Sequence, residues 1–321
     1  MDINDNLFVI IAASAIYYGT PLVFAALGEI LAERSGVLNL GVEGMMLLGA
    51  VGACWVATTF DGSAGIVLPL ALLVAMAFAA AGAAIHAFLT ITLRVNQIIS
   101  GLALTIFAGI AGVSSYLAGI WDLGQGPVPN QFDNMNLFGL GKVPVVGPIL
   151  FDQTALTYLS WVCVIGVSIY LFRTRLGLQL RAVGESPQTA DSVGIGVART
   201  RYVHVLIGGA FAGIAGACFS LAIVPQWVNG MTAGQGWIAL ALVIFGFWRP
   251  DLMLVGAYLF GGLSSLRFSL QARGIDVPSA LLDALPYLMT IVVLVIVSNS
   301  AARRRLGAPA ALGKPSEREE R

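Results

Sequence analysis

Long apolar runs separated by short polar breaks dominate this chain. Windows of about 20 residues pick out apolar stretches near 8–30, 36–58, 64–92, 98–120, 154–172, 203–224, 235–248, 251–267 and 279–299. Runs this long and this poor in charge predict helices that cross a bilayer, because hydrocarbon offers backbone N–H and C=O groups no partner outside the chain itself. Periodicity adds little, since helices inside a bundle are apolar nearly all round. The predicted fold is all-α: a polytopic transmembrane helix bundle of about 8–9 spans over residues 1–302, followed at 303–321 by a polar, mixed-charge tail expected to be disordered.

Three breaks in the pattern stand out. Residues 173–202 form a polar island with five arginines, Arg173, Arg175, Arg181, Arg199 and Arg201. Within it Ser186 suits a helix N-cap, Pro187 the first turn and Gly194 a C-terminal stop, so a short helix over 186–194 is predicted. Residues 237–247 are too short to span, about 16 Å as helix, and are either half of a re-entrant pair with 251–267 or part of a second crossing. Residues 28–44, GEILAERSGVLNLGVEG, are irregular too. Interrupted spans often mark a transport path.

Composition sharpens the class. Only 11% of residues are charged, against 58% hydrophobic, and the mean hydropathy is +0.86. A soluble domain carries about a quarter charged residues. Net charge is zero, but the basic residues are lopsided. The acidic start MDINDN is placed outside and the C-terminus inside. That choice puts 14 of the 17 basic residues inside, leaving Lys142, Arg267 and Arg273 outside. No basic residue precedes Arg34, so no cleavable signal peptide is expected. Cys54, Cys163 and Cys218 lie in apolar runs without CxxC spacing and are expected to be small buried hydrophobes.

Candidate chemistry is sparse. Glu43 is the most unusual acid: a charge at the bilayer centre costs about 2.5–3.5 kcal/mol on insertion scales. It is either a gate or path contact, or a shallow residue stabilising a helix N-terminus. Asn39 stands beside it. Asn96 and Gln97 either bond between helices or meet a polar substrate. Gln235 and Trp237 stand at the start of the short span, where Trp237 is either an interfacial tryptophan or an aromatic to stack on a sugar or base, whereas Trp248 suits an interfacial aromatic belt. The segment 121–153, with Trp121, Asp122, Asp133 and Asp152, is either a docking loop for a soluble partner or a solvated connector. His86 and His204 stand alone, without the partners of a triad or metal site. No GxxxxGK[ST] phosphate loop occurs. The chain is therefore expected to be no enzyme, with no metal and no cofactor of its own.

Four segments together resemble a known family: GEILAERSGVLNLGVEGMMLLGA at 28–50, VNQIISGLAL at 95–104, LRAVGESPQTADSVGI at 180–195 and GQGWIALALVIFGFWRP at 234–250. The chain resembles permeases of ATP-binding cassette importers of the branched-chain amino acid and simple-sugar superfamily, most closely those of nucleoside uptake systems. The resemblance covers roughly 8–300. It implies a transport subunit of the bacterial cell (inner) membrane. Its partners would be an ABC ATPase that holds ATP and Mg, a second permease, identical or related, and an extracytoplasmic substrate-binding lipoprotein. No nucleic acid partner is expected. The loop 173–202 would then be the cytoplasmic coupling loop, with Gly184, Glu185, Ser186, Pro187, Ala190 and Gly194 docking on the ATPase. Asn39, Glu43, Asn96, Gln97, Gln235 and Trp237 would be path candidates. A permease for simple sugars such as ribose is the near alternative. A secondary transporter, driven by an ion gradient, is the distant one.

Overall fold

A computed structural model describes residues 7–109, 112–272 and 307–314, with the isolated positions 284, 285, 288, 289, 291, 292 and 295. The span predicted at 279–299 otherwise lies outside the described residues. Among the described residues, six helical stretches are long and apolar enough to cross a membrane: Leu7–Arg34, Val42–Thr59, Ala64–Thr92, Gln97–Ile120, Ala155–Arg173 and Val197–Ile223. The chain is a polytopic helical membrane protein.

In chain order the helices are α1 (Leu7–Arg34), α2 (Val42–Thr59), α3 (Ala64–Ala87), α4 (Gln97–Ala108), α5 (Val113–Ile120), α6 (Ala155–Arg173), α7 (Arg175–Glu185), α8 (Pro187–Ser192), α9 (Val197–Cys218), α10 (Gln235–Phe245) and α11 (Pro250–Ala272). The polar island therefore holds two helices, α7 and α8, where one was predicted. The all-α expectation describes the bundle; the connector adds one short pair of strands, β1 (Asn134–Asn136) antiparallel to β2 (Asp152–Thr154), with Asn134 opposite Thr154. This small hairpin sits in the polar connector, where Asn side chains and turns compete with helix.

Close backbone contact builds the centre. α9 runs against α1, α2 and α3. A Cβ on Gly28 of α1 would lie 2.5 Å from the Gly208 carbonyl oxygen of α9, and one on Gly49 of α2 would lie 2.5 Å from Gly213. Lipid supplies no hydrophobic drive between helices, so small residues that let backbones touch take its place. Leu22, Phe24, Leu27 and Ile30 of α1 are wholly buried in the resulting core.

Residues 224–234 are irregular and lead into α10. At their start the connector is hydrogen-bonded to the end of the α9 stretch, from Phe132 N to Leu221 O at 2.8 Å and from Val128 N to Pro225 O at 2.7 Å. After α10 the chain turns beside the C-terminal end of α1, where Arg34 reaches the Trp248 carbonyl at 3.2 Å. α11 then runs back along α1, with Gly261 against Ala15 O. Residues 224–249 thus traverse the bundle from one end of α1's neighbours to the other.

Of the tail expected to be disordered, 307–314 are described, whereas 303–306 and 315–321 lie outside the described residues. Residues 307–314 are not a free tail. They fold into a turn whose Pro309 and Ala311 are buried, because small apolar side chains fit a shallow slot beside Gly36 and Gly184.

Candidate functional site: a capped helix and two breaks

The exposed unit α7–α8 follows from local chemistry. Thr174 ends α6 and caps α7, its hydroxyl accepting from Gly177 N at 3.0 Å. α7 buries Leu180, Val183 and Gly184 and turns Arg181 over the Phe172 ring at 5.5 Å. Ser186 caps α8, accepting from Thr189 N at 3.4 Å, and Pro187 occupies the first turn. At the other end Ile195 N donates to Ala190 O and Gly194 N to Asp191 O, both at 3.0 Å. This is a Schellman stop, and it needs the left-handed φ of +84° that Gly194 supplies. Ala190 faces inward at 2% exposure, while Val193 is 71% exposed. Glu185 is exposed. Leu176 and Leu178, each 60% exposed, add apolar surface that the sequence reading missed. Their i, i+2 spacing on an otherwise polar helix was the available signal.

Behind this unit lies the first break, residues 35–41 between α1 and α2. Its backbone is held by side chains from three other helices. Gln97 Oε1 accepts from Leu38 N at 2.7 Å. His86 Nε2 meets Leu38 O at 3.1 Å and its Nδ1 meets Ser100 Oγ at 3.0 Å. Thr105 donates to Leu40 O at 3.0 Å. Arg201, 1% exposed, donates from Nε to Ser35 O at 3.1 Å. Non-helical backbone inside a membrane bundle requires such partners. His86 is thus a brace, and Arg201, counted above as a topology marker, is a buried clamp.

The second break is closed by one residue. Glu43 lies in the first turn of α2 and is 7% exposed. Its Oε1 accepts from Thr232 Oγ1 at 2.6 Å and Gly234 N at 2.9 Å, and its Oε2 from Gly236 N at 2.7 Å. The carboxyl group therefore caps the N-terminus of α10, the positive end of that helix dipole. Glu43 thus stabilises a helix N-terminus, and the helix is α10 rather than its own α2.

The other predicted path residues divide. Asn39 is buried and donates to Glu29 Oε1 at 2.9 Å. Gln97 belongs to the first break. Asn96 is the N-cap of α4, accepting from Ile98 N at 2.9 Å and Ile99 N at 3.2 Å. Gln235 and Trp237 open α10, and Gln235 Oε1 is buried without a hydrogen-bond partner. Trp248 is no belt residue: at 4% exposure it donates from Nε1 to Glu33 Oε2 at 2.5 Å. Sequence reasoning missed Glu29 and Glu33, both 1% exposed, although two acids at i, i+4 in an apolar helix were visible. A cavity of about 480 Å³ opens between α1 and the β1–β2 hairpin, lined by Tyr17, Tyr18, Asp133 and Asp152 among others. None of the six predicted path residues lines it.

A bundle of apolar helices with a discontinuous crossing and an exposed, doubly capped helix describes a membrane permease. The chain belongs to the family of permease components of branched-chain amino acid transport systems, whose profile matches residues 11–294. It is 40% identical to the protein named "Putative glucose ABC transporter permease protein TsgC13" of Haloferax volcanii, over 95% of this chain and 97% of that one. It is 38% identical to the nucleoside ABC transporter permease protein NupC of Lactococcus lactis, over 92% of this chain and 94% of that one. Identity to the guanosine ABC transporter permease protein NupQ of Bacillus subtilis is 36%, over 98% of this chain and all of that one. No solved structure matches.

Proposed function

We propose that this chain is the permease subunit of an ATP-binding cassette importer that moves nucleosides into the cell, with ATP and Mg bound on a partner ATPase. The observation that carries the reading is α8. It is closed at both ends by its own residues, anchored by buried Ala190, and presents its remaining surface to solvent. A helix so fixed is suited to docking, and Glu185, Ser186, Pro187 and Gly194 frame the docking surface. Energy enters as different affinities of the partner's states for this unit. The bundle responds through α7, which abuts the end of α1.

The nucleoside assignment rests on NupC and NupQ; TsgC13 favours a simple sugar as the second reading. We place α7–α8, Arg34, Arg249 and residues 307–314 in the cytoplasm. Their gathering at the C-terminal end of α1, with the hairpin connector near the other end, supports 8–9 spans with the N-terminus outside. The hairpin side then faces a substrate-binding lipoprotein, and a second permease completes the pathway in the inner membrane. Deleting α8, or Glu185→Arg, is expected to abolish uptake while the protein still inserts. Normal uptake in the deletion variant would overturn the docking role. Uptake of labelled guanosine against glucose and ribose, in cells lacking other carriers, decides the substrate.

A further inference from the structure

The turn at 307–314 closes on the base of the coupling unit. Arg34, the last residue of α1, donates from Nη1 to Gly307 O at 2.9 Å. Its Nη2 reaches Trp248 O at 3.2 Å. A Cβ on Gly184 would lie 2.1 Å from the Arg34 carbonyl oxygen and 3.2 Å from Pro309 Cβ. Ala311 N donates to Gly184 O at 3.0 Å. The Ala311 methyl is 7% exposed and lies 3.5 Å from where a Gly36 side chain would begin. Leu312 packs on the main core, and the turn holds itself with Leu312 N to Pro309 O at 3.0 Å and Lys314 N to Ala311 O at 3.1 Å. Four parts of the molecule therefore meet at one joint: the end of α1, the break at 35–41, the last turn of α7, and the corner between α10 and α11. Residues 307–314 cover that joint.

We infer that residues 307–314 are a clasp that fixes α7–α8 to the end of α1, and that they are a positioning element of energy coupling. A lever transmits movement only if its base is held. Here the base is a bare backbone approach, Gly184 against Arg34, with no side chain at Gly184 to lock it. The clasp supplies the missing hold by pairing with the Gly184 carbonyl and filling the slot beside Gly36. Movement of α8 then reaches α1, and through Arg34 the corner that follows α10. Unclasped, α7 swivels and the partner's work is lost. This inference rests on the ATPase-docking role of α8.

The test uses the full transporter in membrane vesicles, with its ATPase, partner permease and loaded binding protein. Ala311→Trp, too large for the slot, is expected to lower uptake per inserted transporter by roughly tenfold while ATP hydrolysis continues, so that more ATP is spent per molecule carried. Ala311→Ser is expected to match the native chain. Unchanged uptake in Ala311→Trp, or parallel loss of uptake and hydrolysis, would overturn the inference, the second because it marks a merely structural role. Independently, a cysteine at Ala311 should resist a maleimide that labels one at exposed Ala310; equal labelling also overturns it. If uptake survives deletion of α8 itself, the docking role fails, whatever the clasp variants do.

Discussion

The two breaks differ in how they are held. Residues 35–41 are braced by α3, α4 and α9 through His86, Gln97, Thr105 and Arg201. The start of α10 hangs on one carboxyl group, that of Glu43, which accepts from Thr232, Gly234 and Gly236. Many separate anchors make a fixed joint, because losing one leaves the others in register. A single anchor makes a joint that is closed or open as a unit. The contrast points to α10 as the part of the bundle able to move and to 35–41 as the frame it moves against.

That contrast is open to attack. Glu43→Ala leaves three donors without their acceptor, two of them buried and the Gly234 N–H half-buried, and each such unmet donor costs about 1–3 kcal/mol. The expected loss is about 4 kcal/mol of stability with uptake near background, measured by thermal unfolding in detergent and by vesicle uptake. Glu43→Gln keeps one oxygen and turns its amide hydrogens toward donors, so an intermediate loss is expected. Gln97→Ala and His86→Ala each remove one brace among several. Each should cost about 1–2 kcal/mol and leave most uptake intact. Were either to match Glu43→Ala, the distinction between frame and moving part would collapse. Ser186→Ala removes a cap worth about 1 kcal/mol and should shift the protection of α8 in hydrogen exchange without unfolding the bundle. Asp251→Asn breaks the Arg249–Asp251 pair at 2.6 Å, but both side chains are 54% exposed, so a change under about 1 kcal/mol is expected.

Local chemistry was legible in the sequence. The caps of α8 depend on Ser186, Pro187 and Gly194 within nine positions of each other, and apolar length alone located the long spans. Asn96 is also a local signal, an N-cap directly before an apolar helix, but a polar residue there suits helix packing or a substrate path equally well. What escaped was contact across the chain. Arg201 finds its acceptor 166 residues away, and Glu43 its donors 189 to 193 residues away. No spacing rule reaches that far. The clasp was invisible for a different reason: Gly-Ala-Pro-Ala-Ala-Leu-Gly has the composition of a flexible linker, and only the slot it fills gives it a shape.

The shortness of α10 has a consequence for how the protein is made. Its 11 residues give about 16 Å of helix, half of the roughly 30 Å hydrocarbon thickness. Emerging from a ribosome, such a segment cannot hold itself in the bilayer as α1 or α9 can. The N–H groups of Gly234 and Gly236 find their acceptor only after α2 has been inserted and Glu43 is in place. We therefore predict that biogenesis is ordered, with this crossing settling after its neighbours. Glycosylation-site mapping of chains truncated after Arg249 should find the segment uncommitted in Glu43→Ala and settled in the native chain. Equal placement in both would show that the segment needs no such help.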